Sequence, residues 1–198
     1  RFPGDRSTRN SMEVLSTKLM KLYDENCSPE WKWFEPVLSY CNADIPRALI
    51  ASGRGLANEK MLECGIESLN WLITVQTSSR GHFQPIGTDK IFERGSSKPV
   101  FDQQPIEAYS TISACLEAYV TTKDKRWYNE AEKAFQWFLG TNDLGIPLYD
   151  PINGGCYDGL HVDRVNRNQG AESTIAFLLS LYEMTNITNI IETFKEPI

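Results

Sequence analysis

Between Phe101 and Ala108 the chain reads FDQQPIEA, which sets a carboxylate at Asp102, amides at Gln103 and Gln104 and a second carboxylate at Glu107 around a proline. Proline at 105 suits the first turn of a helix, so Glu107 is expected near the positive end of a helix dipole. Two carboxylates at one helix entrance could divide the acid and base roles of glycosidic bond cleavage, provided their surroundings separate their pKa values. The same pair could equally serve the fold, Asp102 as an N-terminal cap and Glu107 as a charge complementing the dipole. Gln103 and Gln104 carry donor and acceptor groups together, which matches the hydroxyls of a sugar or the backbone of a loop.

A second polar run, NGGCYDGLHVDRVNRNQGAE from Asn153 to Glu172, repeats the theme of amides beside a carboxylate at a helix start, here Asn168, Gln169 and Glu172. His161 lies between Asp158 and Asp163, where an imidazole could give a proton, touch a sugar or staple the loop. No second His or Cys completes a metal-ligand set, so no metal and no cofactor are expected. Earlier in the chain, Trp31, Trp33, Phe34 and Glu35, followed by Tyr40 and Asn42, mix aromatic faces with polar groups. Such faces either stack on sugar rings or plug a core.

The chain has 198 residues, 41% of them hydrophobic, which suffices for one domain with a packed core. A net charge of -6 without a basic run argues against nucleic acid and anionic membranes as partners. Five cysteines without a CxxC pair read as free thiols, which favours the cytoplasm. Loops of the GxSxG, GxxxxGK[ST] and GxGxxG types are absent, which disfavours nucleotide binding by those routes.

These groups are held by a series of helices. Hydrophobic spacing predicts helices over about Ser7–Glu25 and Ala43–Gly53, a third capped by Asn58 and ending near Gln76, and a fourth through Ile106, Ile112 and Tyr119. A fifth runs through Trp127, Ala131 and Phe138, and a sixth through Ile175, Leu178 and Tyr182 to about Met184. Long Gly- and Pro-bearing loops, 78–104 and 140–170, separate them, with a short ribbon possible in the first. The pattern is all-α, a stack of αα-hairpins in a single domain over 1–198.

The blocks WKWFEPVLSYCNADIPRALIASG, SLNWLITVQ, GHFQPIG, FDQQPIEA, FQWFLGTNDLGIPLYDP and GGCYDGLHVDRVNRNQGAEST carry a resemblance. In that order they resemble the helical domain of the six-hairpin glycosidase superfamily, of the kind found with bacterial glycosyltransferases. The resemblance implies an α/α toroid with alternating inner and outer helices and a ligand cleft at one end of the ring. A full ring uses about twice the helices counted here, so the chain corresponds to its C-terminal half, an incomplete ring. It also implies cleft positions at Glu35, Asn42, Asp102, Gln103, Gln104, Glu107, His161, Asn168 and Glu172. The expected activity is that of a carbohydrate-active domain on an oligosaccharide, with Asp102 or Glu107 as acid and Glu35 or Glu172 as base. Trp33, Tyr40, Asn42, Gln103, Gln104, Asp158, His161, Asn168 and Gln169 are the expected sugar contacts. Two alternatives are a non-catalytic glycan-binding domain serving a glycosyltransferase and a sugar epimerase using His161. The partner completing the ring would be a missing N-terminal half, a second copy or the glycosyltransferase.

Overall fold

A computed structural model describes residues 5–193 of the chain. Helix α1 (Arg6–Asn26) is followed by α2 (Asp44–Leu56), α3 (Glu59–Val75), α4 (Pro105–Thr122), α5 (Lys125–Phe138) and α6 (Ala171–Thr193). Two ribbons complete the described elements. Strand β1 (Val37–Leu38) pairs antiparallel with β2 (Phe92–Glu93), and β3 (Gly159–Leu160) pairs with β4 (Val165–Asn166).

Local chemistry sets the helix ends. The Asn58 side chain accepts the Met61 amide at 3.1 Å and starts α3, while Asp124 accepts the Arg126 amide at 2.9 Å and starts α5. Between α2 and α3 only Ala57 and Asn58 intervene, Ala57 in the left-handed conformation. Helix α2 runs past Gly53 because that glycine lets the α3 backbone close in; a Cβ there would stand 2.6 Å from the Leu62 nitrogen. Helix α6 runs beyond the expected end near Met184 despite the weak helix formers Asn186 and Thr188. Met184 and Ile187 are buried against the core, so packing overrides propensity there.

Helices α2, α4 and α6 lie side by side as an inner row, with α4 in the middle. Helices α3 and α5 back onto α2 and α4 from outside, and α1 packs on α2 and α3. The core between the rows holds Trp127, Trp137, Phe138, Leu49, Ile50 and Ile112. A second aromatic group, in which Trp31 meets Trp71 edge-on at 4.9 Å and Trp33 meets Phe34 at 5.3 Å, seals α3 to the segment before α2. No described helix is long and apolar enough to cross a membrane. All five cysteines are unpaired, with Cys64, Cys115 and Cys156 buried.

Candidate functional site

The three inner helices begin at the same end of the molecule, where hydrogen bonds tie the segment just before α2 to the first turns of α4 and α6. Glu107 in the first turn of α4 accepts the backbone amides of Cys41 (2.5 Å) and Asn42 (3.4 Å) and the Asn42 side-chain Nδ2 (3.1 Å), just before α2. Tyr40 donates its hydroxyl to Glu172 at the start of α6, at 2.6 Å. That bond raises the Tyr40 phenol above its ordinary pKa, with partial burial adding to it.

Gln104 occupies the cap position of α4 and makes no side-chain cap bond. Asp102 is therefore not the cap; its carboxylate meets His161 Nδ1 at 2.5 Å. The pairing comes from backbone geometry. Gln103 and Leu160 exchange two backbone hydrogen bonds of 2.9 Å, which lays the residue before Gln103 beside the residue after Leu160. Gly159 is required there, because a Cβ would run into the Gln103 carbonyl. The Phe101–Asp102 peptide bond is cis.

His161 stands on the wall of a cleft of about 850 Å³, formed between the β3–β4 hairpin and the loop carrying Ile146 and Tyr157. Asp102 is half-exposed beside it, with 48% of its side chain accessible.

Several expected sugar contacts have other duties. Trp33 is 1% exposed and packs in the core, leaving no ring face for a ligand. Gln103 is fully buried: its Oε1 accepts the Trp137 indole N–H at 2.8 Å, and its Nε2 donates to Val100 O and Asp143 Oδ2. Asn42 is buried on Glu107. Asp158 binds the Asn168 side chain and the Gly170 amide, which secures the entry to α6. Burial would raise the Asp158 pKa, but bonds from Ser173, Asn168 and Gly170 outweigh it and hold the carboxyl low. Gln169 ties Asn153 to Asp150 across the same loop. Gln104 is half-buried, and Glu35 is exposed ahead of β1; neither side chain has a hydrogen-bond partner among the described residues.

Glu107 is 1% exposed, and burial pushes its carboxyl up to about 7 against the lowering effect of its three N–H partners. It holds α4 to the front of α2 and has little surface to offer a ligand.

The sequence reading missed Asp143. This carboxylate, 14% exposed, accepts His82 Nε2 (3.1 Å), Gln84 Nε2 (2.9 Å) and Gln103 Nε2 (2.6 Å), and so bolts the two long loops together. Burial would raise its pKa, yet the bonds from Gln103, Gln84 and His82 bring it below the ordinary value. Lys98 nearby is pulled down to about 8 by desolvation. The available signal was His82 and Gln84 at spacing two in an extended loop, which turns both side chains to one side. Arg164 and Arg167 also line the cleft.

No protein-family model matches the chain, and no curated protein sequence does. Solved structures match in fold. A GH76 alpha-mannanase from Bacteroides thetaiotaomicron superposes with a TM-score of 0.59 at 16% identity, over 78% of this chain and 40% of the mannanase. An inactive Asp-to-Asn variant of an alpha-1,6-mannanase from Salegentibacter sp., in complex with alpha-1,6-mannotriose, gives 0.57 at 13% identity, over 77% and 43%. The chain thus spans about two fifths of the length of these mannanases. Over that part it shares the all-helical fold of these mannanases, with αα-hairpins packed as inner and outer helices.

Proposed function

We propose that the chain is a carbohydrate-active domain that takes an oligosaccharide in the cleft beside His161, and that it forms the C-terminal part of a larger toroid. The observation carrying this is His161, held by Asp102, on the wall of a cleft of about 850 Å³, at the end where the inner helices begin, in a fold shared with mannanases. His161 keeps Nε2 free because Nδ1 is held by Asp102, the arrangement a proton-transferring imidazole needs. Within the carboxylates expected from sequence, Asp102 and Glu172 are the better pair, since Glu107 is buried in a structural contact and Glu35 lacks a positioning partner. The five unpaired thiols support a reducing compartment such as the cytoplasm.

A non-catalytic glycan-binding role beside a glycosyltransferase is the second reading. It is favoured by the apolar face of α6, where Ile175, Leu178, Leu181 and Tyr182 are exposed and offer a surface to a partner. The experiment is hydrolysis of alpha-1,6-mannotriose and related oligosaccharides by the wild type, Asp102→Asn and Glu172→Gln, with calorimetry on each. Turnover reduced about a hundredfold or more in both variants, with binding retained, is the expected result. Wild-type rates in either variant reject that residue's catalytic role, and binding without turnover in every form supports the second reading.

A further inference from the structure

The cleft beside His161 is chemically one-sided. Ile146, Tyr157 and Val165 give it an apolar wall, whereas Arg164, Asn166 and Arg167 give it an edge rich in donors. Arg164 uses one nitrogen on Asp163, at 2.7 Å, and keeps its other N–H groups. Arg167 has no ion pair or side-chain hydrogen bond among the described residues. Asn166 spends its Oδ1 on the Asn168 amide at 3.2 Å, which leaves its NH₂ as a donor. Asp102 is not part of the cleft lining and is engaged by His161.

A chain with 26 acidic and 20 basic residues therefore reverses its balance here, two guanidinium groups facing the single carboxylate of Asp163 along the cleft lining. Sugar hydroxyls both give and take hydrogen bonds, and a neutral saccharide is best met by a mixture of donors and acceptors. An edge of donors with positive charge matches a group that only accepts, and guanidinium is the side chain best shaped for two-pronged contact with such an anion.

We infer that this cleft takes a saccharide bearing an anionic group, phosphate or carboxylate, with the sugar ring on the Ile146 and Tyr157 wall and the anion on Arg164, Arg167 and the Asn166 amide. The inference rests on the cleft being a saccharide site and adds the substrate class to that reading.

Calorimetry on the 198-residue chain against inorganic phosphate, mannose 6-phosphate, glucuronate, mannose and alpha-1,6-mannotriose tests it. The sugar phosphate or the uronate is expected to bind about tenfold or more tightly than mannose. Whichever of the two binds tighter identifies the anion. Arg167→Ala and Arg164→Ala, both at exposed positions, are expected to cost about tenfold each in that affinity while circular dichroism stays unchanged. Charged and uncharged sugars binding alike, or undiminished anion binding by the double variant, overturns the inference. Mannotriose bound while every anion fails sinks this inference and leaves the carbohydrate reading standing. Phosphate bound while every saccharide fails, charged or neutral, sinks the carbohydrate reading and leaves an anion site.

Discussion

Glu107 shows how much one residue's surroundings decide. As a carboxyl raised from 4.5 to about 7, it holds its proton more tightly in the folded chain than in the unfolded one. Its contribution is fully present below about 4.5 and is lost as pH rises through about 7, because over that window the unfolded state releases a proton the folded state keeps. The slope is roughly 1.4 kcal/mol per pH unit. Urea unfolding of the wild type across this window is expected to show that decline, and Glu107→Gln is expected to flatten it. An unchanged slope in the variant would assign the decline to other groups. Gln103 is the opposite case, a buried neutral amide whose oxygen and nitrogen both have hydrogen-bond partners, so it fixes its neighbour Asp102 without titrating.

Between elements, the α2–α3 hairpin depends on a glycine at each close approach. A Cβ on Gly65 would stand 2.8 Å from Ile50 Cγ1, 2.9 Å from the Ile50 nitrogen and 3.0 Å from the Pro46 carbonyl, and the latter two are backbone atoms that cannot step aside. Alanine gains about 1 kcal/mol in helix propensity. Overpacking costs about 1–3 kcal/mol, so Gly65→Ala is expected to lower stability on balance. Gly55 in the same α2 offers the control, because its Cβ would meet only the flexible end of Met12 at 3.2 Å. Thermal melts are expected to show Gly65→Ala below the wild type and Gly55→Ala at or above it. Equal shifts in both would mean that the close approach at Gly65 is not limiting.

At the scale of the molecule, α6 is unlike its neighbour α4. Both are apolar around their circumference, but α4 is enclosed by α2, α5 and α6, whereas α6 exposes Ile175, Leu178, Leu179, Leu181 and Tyr182. A helix apolar on all sides is built to be surrounded. Leu178→Glu combined with Leu181→Glu is expected to change the chain's stability by no more than about 0.5 kcal/mol, since both side chains already face solvent. The same variant is expected to bind less of a hydrophobic dye and to self-associate less in sedimentation. A loss of about 2 kcal/mol or more would mean that this face is packed within the single chain.

The helices, their caps at Asn58 and the Pro105 start, and the breaks in loops 78–104 and 140–170 were all legible in the sequence, because hydrophobic period and capping chemistry act over a few neighbouring residues. The length of α6 was not, since the packing of Met184 and Ile187 comes from distant parts of the chain. The site was legible only as a set of polar residues near helix starts. Asp102 and His161 meet across 59 positions, and Asp143 reaches His82 across 61, through strand-like bridges and loop crossings that leave no local pattern. Residue types and spacing determined which groups were available for chemistry. Only the tertiary structure decided that Glu107 and Gln103 are buried in structural contacts while His161, held by Asp102, lines the cleft, because burial and hydrogen-bond partners are set by segments far apart in the chain.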